Sequence, residues 1–238
     1  MNLDYIFRIN EINIFKKLKI YKMSHFSHSN GGKLVIITGP MFAGKTSCLI
    51  SELTRYVDVE VPVVYINSSD DTRGNQFSTH NSSLNQVLPK FDVLKTSKLY
   101  SLKDDVLDNY EVIAIDESQF FGDLLNFVKK WLFRNKIIYV AGLDGDIEQN
   151  IFGDIVYLIP YATEVRKLNA VCDFCRTEKK IVPAPFTIRK TDSKQKKLIG
   201  GKDIYIPVCV NHLQQSKKET VTKEEEYKFE LDGLNYIK

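Results

Sequence analysis

Apolar residues arrive in short unbroken runs, separated by segments that are greasy on one side only. KLVIITG (33–39) is continuous and ends in glycine, the pattern of a strand buried on both faces of a parallel sheet. TSCLISELTRYV (46–57) follows, with Leu49, Leu53 and Tyr56 on one helical face and Ile50 and Val57 beside them, which predicts an amphipathic helix. VPVVYIN (61–67) is the next strand, FDVLKTS (91–97) a short one, and LYSLKDDVLDNY (99–110) a helix. EVIAIDE (111–117) is a strand that ends in two acids. FFGDLLNFVKKWLFRN (120–135) predicts a helix with Leu124, Leu125, Val128 and Leu132 inward, and KIIYVAGLDGD (136–146) another strand. Strands alternating with helices indicate an α/β fold with a parallel sheet and right-handed crossovers, whose ligands sit at the carboxyl ends of the strands. After about residue 165 this rhythm stops.

The remaining segments read differently. Residues 1–30 are an extension: IFKKLKIYKM is mildly amphipathic and basic, and SHFSHSNGG is a polar, glycine-ended linker, so poor order is expected there. Residues 68–83 are polar and turn-rich, a candidate mobile loop. The division expected is an extension over 1–30, an α/β domain over 31–168, a small subdomain over 169–213 and a charged tail over 214–238.

Composition narrows the class. The 238 residues are 43% hydrophobic and 26% charged, and a net charge of +3 is too small to imply nucleic acid or a membrane as the main partner. The greasiest late stretch, IFGDIVYLIPYATEV, is broken by Asp154 and Pro160 and cannot span a bilayer. Asp4, Arg8 and Glu11 interrupt the start, so no secretory signal is expected. Three of the four cysteines sit in metal-like spacing, which favours a reducing, cytoplasmic setting.

The first chemical signal is Gly39-x-x-x-x-Gly44-Lys45-Thr46, between an apolar strand and an amphipathic helix. Loop amides and the helix N-terminus point at phosphate oxygens, glycines allow close approach, Lys45 reaches the β- and γ-phosphates, and the Thr46 hydroxyl suits Mg²⁺. Asp116, at the end of a buried strand, fits the residue that holds Mg²⁺ in such sites, and Glu117 beside it is placed to take a proton from a hydroxyl. A switch ATPase, a small-molecule kinase and a binding module all satisfy these residues.

The second signal is Cys172-x-x-Cys175 with Cys209-x-x-His212, two ligand pairs separated by 33 residues. This predicts a closed, tetrahedral structural Zn²⁺ site that folds a subdomain. A redox Cys-x-x-Cys would need a thioredoxin-like setting, which the pattern lacks. Cys48 reads as a small core residue, and His25, His28 and His80 carry no assignment.

GPMFAGKT, DDTRGNQFSTH, IDESQFF, AGLDGD…FGD and CDFC…IGGKDIYIPVC-x-x-H occur in that order. Together they resemble the zinc-containing, P-loop thymidine kinase family, from about Lys33 to His212. The resemblance implies a RecA-type parallel sheet with a zinc-anchored lasso over the nucleoside. It implies transfer of the γ-phosphate of MgATP to the 5′-hydroxyl of thymidine, with Glu117 as general base and Mg²⁺ at Thr46 and Asp116. The phosphate contacts it implies are Gly39, Pro40, Met41, Phe42, Ala43 and Gly44 with Lys45 and Thr46. Asp71 and Arg73 of the 68–83 loop join them, with Asp116 and Gln119. Met41, Phe120, Leu143 and Phe152 match positions around the nucleoside, and Thr187, Ile199, Gly200, Gly201 and Tyr205 match positions in the lasso. A homotetramer and feedback inhibition by thymidine triphosphate are implied on the same basis.

This chain departs from the family pattern at Ser118, where glycine is common, at Ile147, where a ring is usual, at Gln149–Ile151, where a basic-Pro segment is usual, and at Ala43, where serine is usual; KKIVPA (179–184) lengthens the segment after Cys175. A deoxynucleoside kinase of broadened specificity, prompted by Ile147 and Ser118, and a zinc-containing P-loop ATPase acting on nucleic acid are the competing readings.

Overall fold

A computed structural model describes residues 31–69, 91–190, 201 and 203–217. Everything below lies within one compact unit, Gly32–Lys238. The predicted leader, the 68–83 loop beyond residue 69, residues 191–200 and 202 of the lasso, and the charged tail beyond residue 217 lie outside the described residues.

The apolar runs become the strands of one sheet. β1 is Lys33–Thr38, β2 Val63–Ser68, β3 Asp92–Thr96, β4 Val112–Ile115 and β5 Ile137–Gly142. A sixth strand, β6 (Glu164–Lys167), completes the order β3-β2-β4-β5-β1-β6, and every neighbouring pair is parallel. Pleating sends Leu34 and Ile36 of β1 to one face and Val35 and Ile37 to the other, so each face builds its own core. One core lies under α1 (Lys45–Val57) with Leu49 and Leu53; the other lies under α3 (Leu124–Leu132) and the 3₁₀ segment Ile155–Tyr161.

Three expectations need correction. β6 extends the rhythm past residue 165 to Lys167; its pattern of half-buried and exposed residues is that of a sheet edge, which apolar runs do not reveal. The Leu99–Tyr110 helix is a 3₁₀ turn (Leu99–Ser101) and a four-residue α2 (Asp104–Leu107). The hydroxyls of Thr96 and Ser101 both donate to the Lys98 carbonyl, at 2.8 and 2.7 Å, and such local bonds compete with a continuous helix. In α3 the fully buried side chains are Leu124, Phe127, Val128 and Trp131, whereas Leu125 and Leu132 are only partly covered. The buried face is therefore rotated toward the two rings, which fill more of the space over β4 and β5.

The register brings the chemistry to one edge. β1 and β5 end together at the Thr38–Gly142 pair, and β4 releases Asp116 one residue past its Ile115–Val140 pair. Gly39 then turns with φ 141°; a Cβ there would overlap the Leu168 carbonyl, so the strand end approaches β6 only because no side chain intervenes. Leu168 N–H closes that approach by donating to the Thr38 carbonyl at 2.7 Å.

Beyond β6 the chain forms two small antiparallel ribbons. β7 (Ala170–Val171) pairs with β8 (Pro183–Ala184), and β9 (Phe186–Arg189) pairs with β10 (Tyr205–Val208). α4 (Asp173–Thr177) lies between β7 and β8, and residues 210–217 are helical. Trp131→Ala should destabilise the protein by about 3–5 kcal/mol, the usual cost of emptying a buried ring site, and Leu125→Ala by clearly less; chemical denaturation of both variants checks the corrected face.

Candidate functional site

The phosphate loop runs from Gly39 to Gly44, and α1 begins at Lys45. Gly44 at φ 82° and Phe42 at φ 64° turn the backbone inward ahead of the helix. The first amides of α1 thus face the loop's concavity, where an anion is stabilised by unpaired N–H groups and the helix dipole. Lys45 folds across the loop and its Nζ donates to the Pro40 carbonyl at 2.7 Å.

Asp116 gathers three elements. Its Oδ2 accepts from the Thr46 hydroxyl at 2.8 Å and from the Tyr65 hydroxyl at 2.6 Å, and its Oδ1 accepts from Glu117 N–H at 2.9 Å. Burial, and then the charge of Glu117, push this carboxyl up to about 6, while the Tyr65 and Thr46 bonds pull the other way. A buried carboxylate is stabilised by a cation placed beside it. The spacing suits one: adjacent ligands of an octahedral Mg²⁺ with bonds of about 2.1 Å lie about 3.0 Å apart, near the 2.8 Å between Thr46 Oγ1 and Asp116 Oδ2. Tyr65 has no place among the sequence-derived site residues. Its signal was a phenol in the middle of a buried strand, where the hydroxyl must find a partner.

Glu117 follows in a left-handed conformation, φ 49° and ψ 42°, and opens the 3₁₀ turn Ser118–Phe120. Such backbone is costly for a residue with a side chain and clusters at functional sites. Gln119 hydrogen-bonds Glu117 and the backbone of Leu143. Ser118 is fully buried, and its hydroxyl packs against Gly142 without a hydrogen-bond partner among the described residues.

Three of the expected nucleoside residues, Phe120, Leu143 and Phe152, lie at or beside this turn. Phe120 and Phe152 meet edge to face, with centroids 6.4 Å apart. Leu143 leaves the end of β5, and Phe152 N–H donates to the Asp144 carbonyl at 3.2 Å. Thr187, on β9, accepts from Met41 N–H at 3.0 Å, which ties the ribbon to the phosphate loop. Tyr205 is buried on β10, and its N–H donates to the Gly201 carbonyl at 2.9 Å. Ile147 is half-buried in a self-bonded loop, where Asp146 Oδ1 accepts from Glu148 and Asn150 N–H, each at 2.9 Å. Asp71, Arg73, Ile199 and Gly200 lie outside the described residues, as do His25, His28 and His80.

The cysteine–histidine set converges. One ligand atom from each of Cys172, Cys175, Cys209 and His212 falls within 4.8 Å of the others. The three sulfurs lie 3.5, 3.6 and 3.2 Å from His212 Nδ1. Tetrahedral zinc with Zn–S of about 2.3 Å and Zn–N of about 2.0 Å would place sulfur and nitrogen about 3.5 Å apart. The thiols also call for a cation. Burial and the neighbouring thiols push Cys175 up to about 11, whereas Cys172, despite burial, is drawn to about 7 by the Cys175 and Cys209 amides. Three thiolates cannot coexist there uncompensated, and a dication resolves the conflict. Phe174 stacks on the His212 ring at 5.0 Å. This cluster is not remote from the phosphate loop: Phe42 and Ala43 pack against the apolar core that includes Cys172, Cys175 and Cys209. Cys48, expected in the core, is half-buried beside it, with its sulfur 3.9 Å from Arg166 Nη1.

Known proteins resemble this chain in sequence. A family model described as thymidine kinase matches residues 32–213. Over 176 residues the chain is 38% identical to the thymidine kinase of Amsacta moorei entomopoxvirus, covering 73% of this chain and 93% of that protein. It is 40% identical to a rice (Oryza sativa subsp. japonica) thymidine kinase over 193 residues, 76% of this chain and 66% of that one. Vaccinia virus (strain Ankara) thymidine kinase is 37% identical over 181 residues, 76% of this chain and 96% of its own length. A match that spans the sheet, the acid pair and the cysteine–histidine set together leaves one assignment: the chain belongs to the thymidine kinase family.

Proposed function

We propose that this protein transfers the γ-phosphoryl group of ATP to the 5′-hydroxyl of thymidine, giving thymidine monophosphate and ADP. The observation that carries this reading is the placement of Glu117 directly after the Asp116–Thr46 pair and within the same turn as Phe120. Asp116 bonds the first turn of the phosphate-loop helix, and Glu117 opens the turn that carries Phe120, whose ring meets Phe152.

The chain's groups divide the work. Loop amides and Lys45 hold the β- and γ-phosphates, and Thr46 and Asp116 would hold Mg²⁺, which neutralises charge on the transferring phosphates when bound. Phe120, Phe152 and Leu143 border the nucleoside base and sugar. Glu117 takes the 5′-hydroxyl proton as the oxygen bonds to the γ-phosphorus and the bond to the β-phosphate oxygen breaks. Thr187 fastens β9 to Met41 of the phosphate loop. A lasso anchored there covers the nucleoside and excludes water, which would otherwise hydrolyse ATP. Asp71, Arg73, Ile199, Gly200 and Gly201 join the site on the family resemblance. Structural Zn²⁺ at Cys172, Cys175, Cys209 and His212 gives the lasso a rigid base. The same resemblance supports a role in nucleoside salvage in the cytoplasm, a homotetramer, and inhibition by thymidine triphosphate. No helix among the described residues is long and apolar enough to cross a membrane.

Purified protein with MgATP should convert thymidine to its monophosphate, with deoxyuridine, deoxycytidine and deoxyguanosine assayed in parallel. ATP hydrolysis stimulated by single-stranded DNA, with no nucleoside product, would overturn the reading. Glu117→Gln should keep nucleotide binding and lose about 10²–10⁴-fold in turnover; near-normal turnover would remove Glu117 from the base role. Cys172→Ser should lower both zinc content and melting temperature, and full retention of both would contradict the metal assignment.

A further inference from the structure

The carboxylate assigned as base does not choose its own orientation. Gln119 Nε2 donates to Glu117 Oε2 at 2.6 Å, and Leu143 N–H donates to Gln119 Oε1 at 3.0 Å. A backbone N–H can only donate, so Leu143 decides which end of the amide faces β5, and the NH₂ end is left for Glu117. Gln119 is 6% exposed and Glu117 9%, so water is poorly placed to replace either bond.

The backbone around Gln119 is shaped to hold it. A Cβ on Gly142 would come within 2.9 Å of Gln119 Oε1, and one on Gly153 would lie 2.7 Å from Gln119 Cα and 2.9 Å from its carbonyl oxygen. Two glycine backbones thus form a slot around this residue, and real side chains do not make such approaches. Glu117 itself sits in strained left-handed backbone, which surrounding contacts must enforce.

We propose that Gln119 is a positioning residue for phosphoryl transfer. Its amide, braced by the Leu143 N–H, aims the Glu117 carboxylate at the hydroxyl to be deprotonated. It also ties the base to the strand end that carries Leu143. This assignment rests on Glu117 being the base, and it differs from a phosphate contact in that the amide's partner is the Glu117 carboxylate. Misplacing a catalytic group by about 1 Å typically costs about 10²-fold, so the bond has a measurable consequence.

The test compares wild type, Glu117→Gln, Gln119→Leu and the double variant in single-turnover and steady-state assays with MgATP and thymidine. Gln119→Leu keeps the bulk and removes both bonds. It should lower kcat by about 10–100-fold while leaving KM for ATP and thymidine within about twofold. In the Glu117→Gln background the same change should cost nothing further, because groups that act as a unit are not additive. If Gln119→Leu fails to fold, Gln119→Glu replaces it: this variant still accepts from Leu143 but cannot donate to Glu117 when ionised, and the same non-additivity is expected. Additive losses, or a raised KM for ATP at unchanged kcat, would overturn the positioning role. Near-wild-type turnover by Glu117→Gln would remove the base assignment itself. An inactive Glu117→Gln with additive Gln119 losses would overturn this inference alone.

Discussion

Burying the Asp116 carboxylate constrains everything around it. A charge taken out of water must be compensated by hydrogen bonds or a cation, and here the compensation comes from α1, β2 and the chain's own next residue. Thr46, Tyr65 and the Glu117 amide all point at one side chain. Satisfying it fixes the start of the phosphate-loop helix against the end of β4. It also helps to hold Glu117 in a backbone conformation that it would not adopt alone. Burial and the charge of Glu117 still hold the carboxyl above its ordinary value, against the pull of the Tyr65 and Thr46 bonds.

A second constraint ties the phosphate loop to the cysteine–histidine subdomain. Phe42 and Ala43 belong to the loop by sequence but pack against the core around the cysteines. The neighbouring Met41 amide bonds Thr187 on β9. β9, the core around the cysteines and the phosphate loop therefore share contacts. Ala43, a departure from the family's serine, contributes a methyl group to that apolar contact.

Much of the architecture was legible in the chain. β1, β2, β4 and β5 are continuous apolar runs because both faces are buried, and α1 is amphipathic because only one side is. The loop glycines, the acid pair and the ligand spacing are legible because phosphate and metal chemistry fix residue types at fixed distances. What escaped depends on tertiary context. β6 is an edge strand of four residues with alternating exposure, and the α3 face turned on how Phe127 and Trp131 fill space. Tyr65 looked like a strand residue until its hydroxyl met Asp116. Gln119 acquired its Leu143 partner only when the ends of β4 and β5 came together, and no local pattern announces a bond to an amide 24 residues away.

In the proposed reaction, Asp116 and Thr46 form the cation site that sets the γ-phosphate before Glu117. The most direct measurement is the binding of Mn²⁺, as a paramagnetic stand-in for Mg²⁺, to wild type and Asp116→Asn in the presence of ATP, followed by electron paramagnetic resonance. The account predicts a protein-bound ternary signal in wild type that is lost or strongly weakened in the variant, with zinc content unchanged. An undiminished ternary signal in Asp116→Asn would contradict it.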